Sequence, residues 1–155
     1  MRSACEGCGL VVQSGTEGCQ AIFHAFVARD FSDALYFRTH RMLVDTYALQ
    51  HPNTYCVSAK SLAAHLAGLC WFMHNETSRA LGPESLHRWL SGRTDLIKPS
   101  LPDARGVLTI GDIDAGAAPD EYAAAVEGWA RSTWAAYQPL HSVAERWMSD
   151  AQARR

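Results

Sequence analysis

The sequence is short of lysine, of net charge and of long apolar runs. Lysine occurs only at Lys60 and Lys98, and the formal net charge is -2. The more numerous arginines are scattered and form no run, which argues against a nucleic-acid partner held by its phosphate backbone. The longest apolar stretch, Leu66 to Met73, contains Gly68 and is too short to cross a bilayer, so no membrane span is expected. The opening Met-Arg-Ser-Ala-Cys-Glu has no apolar core behind its charge; it reads as no secretory signal, and a cytoplasmic location is expected. A Gly-rich phosphate loop, a nucleophile elbow and a serine triad are all missing. No substrate can be named from these residues.

What is present is a folding composition. Hydrophobic residues make up 48% and charged residues 19% of 155 positions, outside the range of disordered chains. That length suits a single domain over 1–155 that buries roughly 70% of its unfolded surface. Residues 1–19 form a distinct Cys- and Gly-rich knuckle, with Leu10-Val11-Val12 as a strand-like piece between Cys5-Glu-Gly-Cys8-Gly9 and Gly15-Thr-Glu-Gly18-Cys19. Helical spacing dominates 20–92. Ile22, Phe23, Phe26 and Val27 mark a first helix from Gln20. Ser32 or Asp33 caps a second that runs to His51, where Pro52 stops it. Its stripe of Tyr36, His40, Leu43, Val44, Tyr47 and His51 turns His40 inward. A third helix starts at Ser58, and Pro83 opens a short one ending near Gly92. Residues 93–118 read as a loop with one short helical turn at the capping box Thr109-Ile-Gly-Asp112. Pro119 starts the C-terminal helices over 119–153, with Trp129 in the middle of a buried stripe. The fold class is all-α: a bundle of five or six helices with the knuckle in front.

Five cysteines are an odd number for a disulfide framework. Cys5-x-x-Cys8-Gly9 lets two thiolates reach one ion, and Gly15 and Gly18 let Cys19 fold back as a third ligand. Zinc favours thiolate and imidazole in a tetrahedron, and four such ligands close a structural site. For the fourth ligand, an antiparallel helical hairpin turning near Phe31 puts Cys19 across from Val44. His40 then lies ~6 Å from that level and His51 ~10 Å, at ~1.5 Å per residue. His40 is therefore the first choice, with His51, Cys56 and His24 as alternatives. The expected metal set is Cys5, Cys8, Cys19 and His40. Cys70 and Cys56 otherwise read as small buried residues.

The segments Cys5-x-x-Cys8-Gly9, Cys19-Gln20-Ala21, His40-x-x-x-Val44-Asp45-x-Tyr47-x-x-Gln50-His51-Pro52 and Ser58-Ala-Lys-Ser-Leu-Ala-Ala-His-Leu-Ala-Gly-Leu69 carry a resemblance. So do Pro102, Gly106, Thr109, Asp112, Trp129, Ser132 and Trp134. The chain resembles a family of small bacterial proteins, domain of unknown function 5946, over nearly its whole length. The resemblance implies no assigned activity.

Two readings compete. One is a zinc-stabilised helical binding module, with a protein partner or a second copy. The other is a metal-dependent enzyme whose His40 and His65, from different helices, hold an ion with an open position. Asp45 reads as an exposed or half-exposed partner of Arg41 one turn away, and Gln50-His51-Pro52 as a helix end that caps its own carbonyls. Asp112-x-Asp114-x-Gly116 echoes a calcium loop but lacks the required Glu, since position 123 is Ala.

Overall fold

The chain begins with a small antiparallel hairpin, β1 (Arg2–Ala4) and β2 (Val11–Gln13), in which Ser3 lies opposite Val12. The computed structural model describes residues 1–75, 82–92 and 95–153. Eight helices follow the hairpin among these residues: α1 (Gly15–Ser32), α2 (Ala34–Phe37), α3 (His40–Gln50), α4 (Pro52–Tyr55), α5 (Ala59–His74), α6 (Glu84–Gly92), α7 (Pro119–Ala136) and α8 (His141–Ala153). The all-α expectation holds. The count exceeds five or six because α2 and α4 are single turns, too short to show a periodicity in sequence.

The central element is α3, packed against α5 on one side and α7 on another. Leu43, Tyr47, Ala48 and Leu49 fill the space between these helices. Leu62, Leu66 and Leu69 of α5 meet them, and Val126, Trp129 and Ala130 of α7 complete the core. Gln50 is fully buried in that core with both of its side-chain polar atoms hydrogen-bonded. Its Nε2 donates to the carbonyls of Arg105 (2.9 Å) and Leu108 (2.7 Å), and its Oε1 accepts from Trp129 Nε1 at 3.0 Å. One amide thus ties the extended 95–109 segment and α7 to the end of α3, which is how a buried polar group avoids a desolvation penalty. The expected helix-capping role for Gln50 is not what it does.

Local signals account for most helix ends. Ser58 Oγ accepts from Ser61 N, and Ser61 Oγ accepts from Ser58 N, a reciprocal box at the start of α5. Around the 3₁₀ turn Ile110–Asp112, Asp112 Oδ2 accepts from Thr109 N and Thr109 Oγ1 accepts from Gly111 N. Pro119 occupies the first turn of α7. Two boundaries differ from the sequence reading. The first helix starts at Gly15 rather than Gln20, since a Cβ on Gly18 would stand 1.9 Å from the Gln13 carbonyl oxygen. The glycine there permits close packing of β2 on the helix; it does not break it. The continuous helix expected from Ser32 or Asp33 to His51 is interrupted at Arg38 and Thr39. Neither residue is a helix breaker, so the interruption has no local signal. Arg93, where the loop reading began, lies outside the described residues.

Candidate metal centre

The knuckle brings its two cysteines to one side by backbone hydrogen bonds. Cys5 N donates to Leu10 O (2.8 Å) and Gly9 N to Cys5 O (2.9 Å), closing the turn around Glu6-Gly7-Cys8. Cys19 arrives from the second turn of α1, and His51 from the C-cap of α3. The four candidate ligand atoms, three Sγ and one imidazole nitrogen, all lie within 4.8 Å of one another. Cys8 Sγ stands 3.7 Å from Cys19 Sγ; His51 Nε2 stands 3.4 Å from Cys5 Sγ and 3.5 Å from Cys19 Sγ. Cys5, Cys19 and His51 are buried and Cys8 is partly buried.

These separations suit a tetrahedral ion. With Zn–S near 2.3 Å and Zn–N near 2.0–2.1 Å, the edges of a tetrahedron are ~3.8 Å for S···S and ~3.5–3.6 Å for S···N. The imidazole is also oriented for the task. Its Nδ1–H donates to the Tyr47 carbonyl at 2.7 Å, which fixes the tautomer and leaves the Nε2 lone pair facing the sulfurs. Its ring stacks on Tyr47 at 3.9 Å, and Tyr47 in turn stacks on Phe23 at 3.9 Å. The aromatic pile holds the ring against rotation. Electrostatics favour the ligating form at Cys8 alone; Cys19 and His51 hold protons that a bound ion would displace. A hydrogen bond with the Cys19 thiol holds Cys8 down to about 4, and Cys19 is pushed up as the partner that keeps its proton. Burial works against a charged His51, but the hydrogen bonds to Cys8 and to the Tyr47 carbonyl outweigh it and raise its value. The metal-free cluster therefore already places negative charge on sulfur.

Of the expected set, Cys5, Cys8 and Cys19 come together and His40 stands apart. His40 Nδ1 is 3.0 Å from Asp30 Oδ2 at the opposite end of α3. The reason is register. The turn between α1 and α3 is not a tight one near Phe31 but the whole stretch 33–39, which contains α2. A turn centred near Tyr36 mirrors Cys19 onto about Asn53, within one helical turn of His51. The remaining alternatives do not converge either. Cys56 is fully buried against the Ala48 carbonyl (3.6 Å) and burial pushes its thiol up to about 12, while His24 is exposed on α1.

One contributor is absent from the sequence reading. A Cβ on Gly7 would lie 2.4 Å from His51 Cδ2 and 2.9 Å from the Gln50 carbonyl, so the knuckle can pass over the histidine only with glycine there. Its place between Glu6 and Cys8 is the one available signal.

His65 pairs with Asp45, and His40 with Asp30. His65 Nδ1 is 2.9 Å from Asp45 Oδ1, and Asp45 also receives Arg41 Nε. Asp45 is fully buried, not exposed or half-exposed as its spacing from Arg41 suggests. Gly68 makes that possible, because a Cβ there would stand 2.5 Å from Asp45 Oδ2. Among the described residues, no other group of three or more His, Cys, Asp or Glu side chains sits at ligating distance. No helix of the described residues is long and apolar enough to cross a membrane.

No curated protein and no solved structure matches the chain. The model of a family of unknown function (DUF5946) matches residues 3–138, and the chain belongs to that family.

Proposed function

We propose that Cys5, Cys8, Cys19 and His51 hold one structural zinc ion, and that the protein is a zinc-stabilised helical module that works by binding a partner. The observation that carries this reading is the convergence of four soft or borderline ligand atoms within 4.8 Å, one of them with its tautomer fixed by a backbone carbonyl. Three thiolates and an imidazole fill a tetrahedron, so such an ion has no open position for water or substrate. It links the hairpin, α1 and the end of α3. The five free cysteines suit a reducing, cytoplasmic compartment, and the net charge of -2 favours a protein partner or a second copy over nucleic acid.

Elemental analysis of untagged protein tests the assignment. About one zinc per chain is expected for the natural sequence and for His40→Ala. A Cys5→Ser, Cys8→Ser double variant is expected to lose it, and His51→Ala to hold it more weakly. Full retention by the double variant, or loss in His40→Ala alone, would overturn the ligand set.

A further inference from the structure

The start of α3 carries a second arrangement that the metal reading does not use. Asp30, the buried residue near the end of α1, accepts the Tyr122 hydroxyl on Oδ1 at 2.8 Å and faces His40 Nδ1 with Oδ2 at 3.0 Å. The carboxylate is fully buried. Arg29 is adjacent in sequence, but its guanidinium lies over the rings of Tyr36 (4.2 Å), Tyr122 (4.6 Å) and Phe26 (5.1 Å). Its Nη1 donates to the Ala115 carbonyl, and among the described residues its Nε and Nη2 make no hydrogen bond. The acid is thus met by one phenol and one imidazole. Since Asp30 accepts a hydrogen bond from Nδ1–H, neutral His40 carries its free lone pair on Nε2. That atom has no hydrogen-bond partner among the described residues, and the side chain is 13% exposed. Phe37 stacks on the imidazole at 4.8 Å and Phe31 meets it edge-on at 4.7 Å. Phe31 is 69% exposed, a large apolar ring left in water beside a base.

We propose that His40 is a catalytic base: its Nε2 takes the proton of a hydroxyl or water belonging to a small apolar substrate that rests on Phe31 and Phe37. In that step the O–H bond breaks, its electron pair stays on oxygen, and the proton forms the new N–H bond of an imidazolium. Asp30 is a positioning residue that holds the ring and faces the charge that develops on it, as a buried carboxylate does for a histidine base in general. Tyr122 fixes the carboxylate from its other oxygen. Of the two ring nitrogens of His40, only the one that orients the ring is hydrogen-bonded among the described residues. Asp45 holds His65 in a similar way, but Arg41 already pairs with that carboxylate.

The probe is diethyl pyrocarbonate, applied at pH 7 to the zinc-loaded chain, with the rate at each histidine read by peptide mass mapping. An imidazole lone pair attacks a carbonyl carbon of the reagent, the C–O bond to the ethyl carbonate half breaks, and that half decays to carbon dioxide and ethanol. Accessibility alone would make His40 slower than the exposed His24, His74 and His87. An oriented base is expected to react at least tenfold faster than those three. Asp30→Asn is expected to cut the His40 rate by tenfold or more and leave the other three within twofold. A natural-sequence His40 rate at or below theirs overturns the proposal. Should Asp30→Asn fail to fold, long-range proton–nitrogen correlation spectra of the natural sequence decide the matter. Neutral His40 is expected as the Nδ1–H tautomer, and an Nε2–H tautomer overturns the assignment. Zinc content measured on the same samples separates failure here from failure of the metal reading.

Discussion

The two ends of α3 each carry a histidine with its Nδ1 fixed, and they differ in what fixes it and where the other nitrogen looks. His51 gives its proton to the neutral Tyr47 carbonyl and turns Nε2 toward three buried or half-buried sulfurs. His40 donates Nδ1–H to the buried carboxylate of Asp30, and its ring packs against Phe31 and Phe37. A carbonyl orients a ligand and leaves the charge to the metal; a carboxylate stabilises an imidazolium. On the two proposals made above, the same side chain at the two ends of α3 serves two chemistries.

The largest effect is expected from removing the metal. Stripping zinc with a strong chelator, or with the Cys5→Ser, Cys8→Ser change, should cost at least ~3 kcal/mol, because ligation energy is folding energy in such a site. For a chain of this size that is a fall in melting temperature of roughly 6–12 °C by calorimetry. Truncating the core has a similar scale with a different signature. Trp129→Ala removes a fully buried indole and orphans Gln50 Oε1, and should cost ~3–5 kcal/mol in a denaturant melt while zinc content stays at one. Gly7→Ala comes next. The new methyl group displaces His51, and competition with a chromogenic chelator should show zinc held ~10–100-fold less tightly, the range for disturbing the support of a metal ligand. His40→Gln should move stability by only ~1–2 kcal/mol, the cost of weakening one buried hydrogen bond, and leave zinc untouched. Phe31→Ala should be smallest, within ~0.5 kcal/mol, because the ring is mostly in water. If His40→Gln matched the chelator effect, the division between the two ends of α3 would collapse.

Much of this arrangement is legible in the sequence, and what is not has a common cause. The helical class, the caps at Ser58, Thr109 and Pro119, and burial of Trp129 follow from local chemistry that acts within a few residues. The three cysteines announce themselves by spacing and glycine flanks. The fourth member of the cluster depends on register between two helices, and register turns on the break at Arg38 and Thr39. Neither residue is Gly or Pro, and the break is sustained by tertiary contacts, among them the approach of His40 to Asp30. One unmarked interruption therefore moves the partner of Cys19 from His40 to His51. The burial of Asp45 was hidden for a related reason: Gly68 sits on another helix, and the space it leaves has no trace near Asp45 itself.

The central claim is that a closed Cys3His site is fastened by the far end of α3. X-ray absorption at the zinc edge on untagged protein tests it most directly, with His51→Ala measured beside the natural sequence. Three sulfurs near ~2.3 Å and one nitrogen near ~2.0–2.1 Å are expected in the natural sequence, with the nitrogen shell altered only when His51 is replaced. A shell dominated by the shorter distance, or a spectrum that changes with His40→Ala and not with His51→Ala, would contradict it.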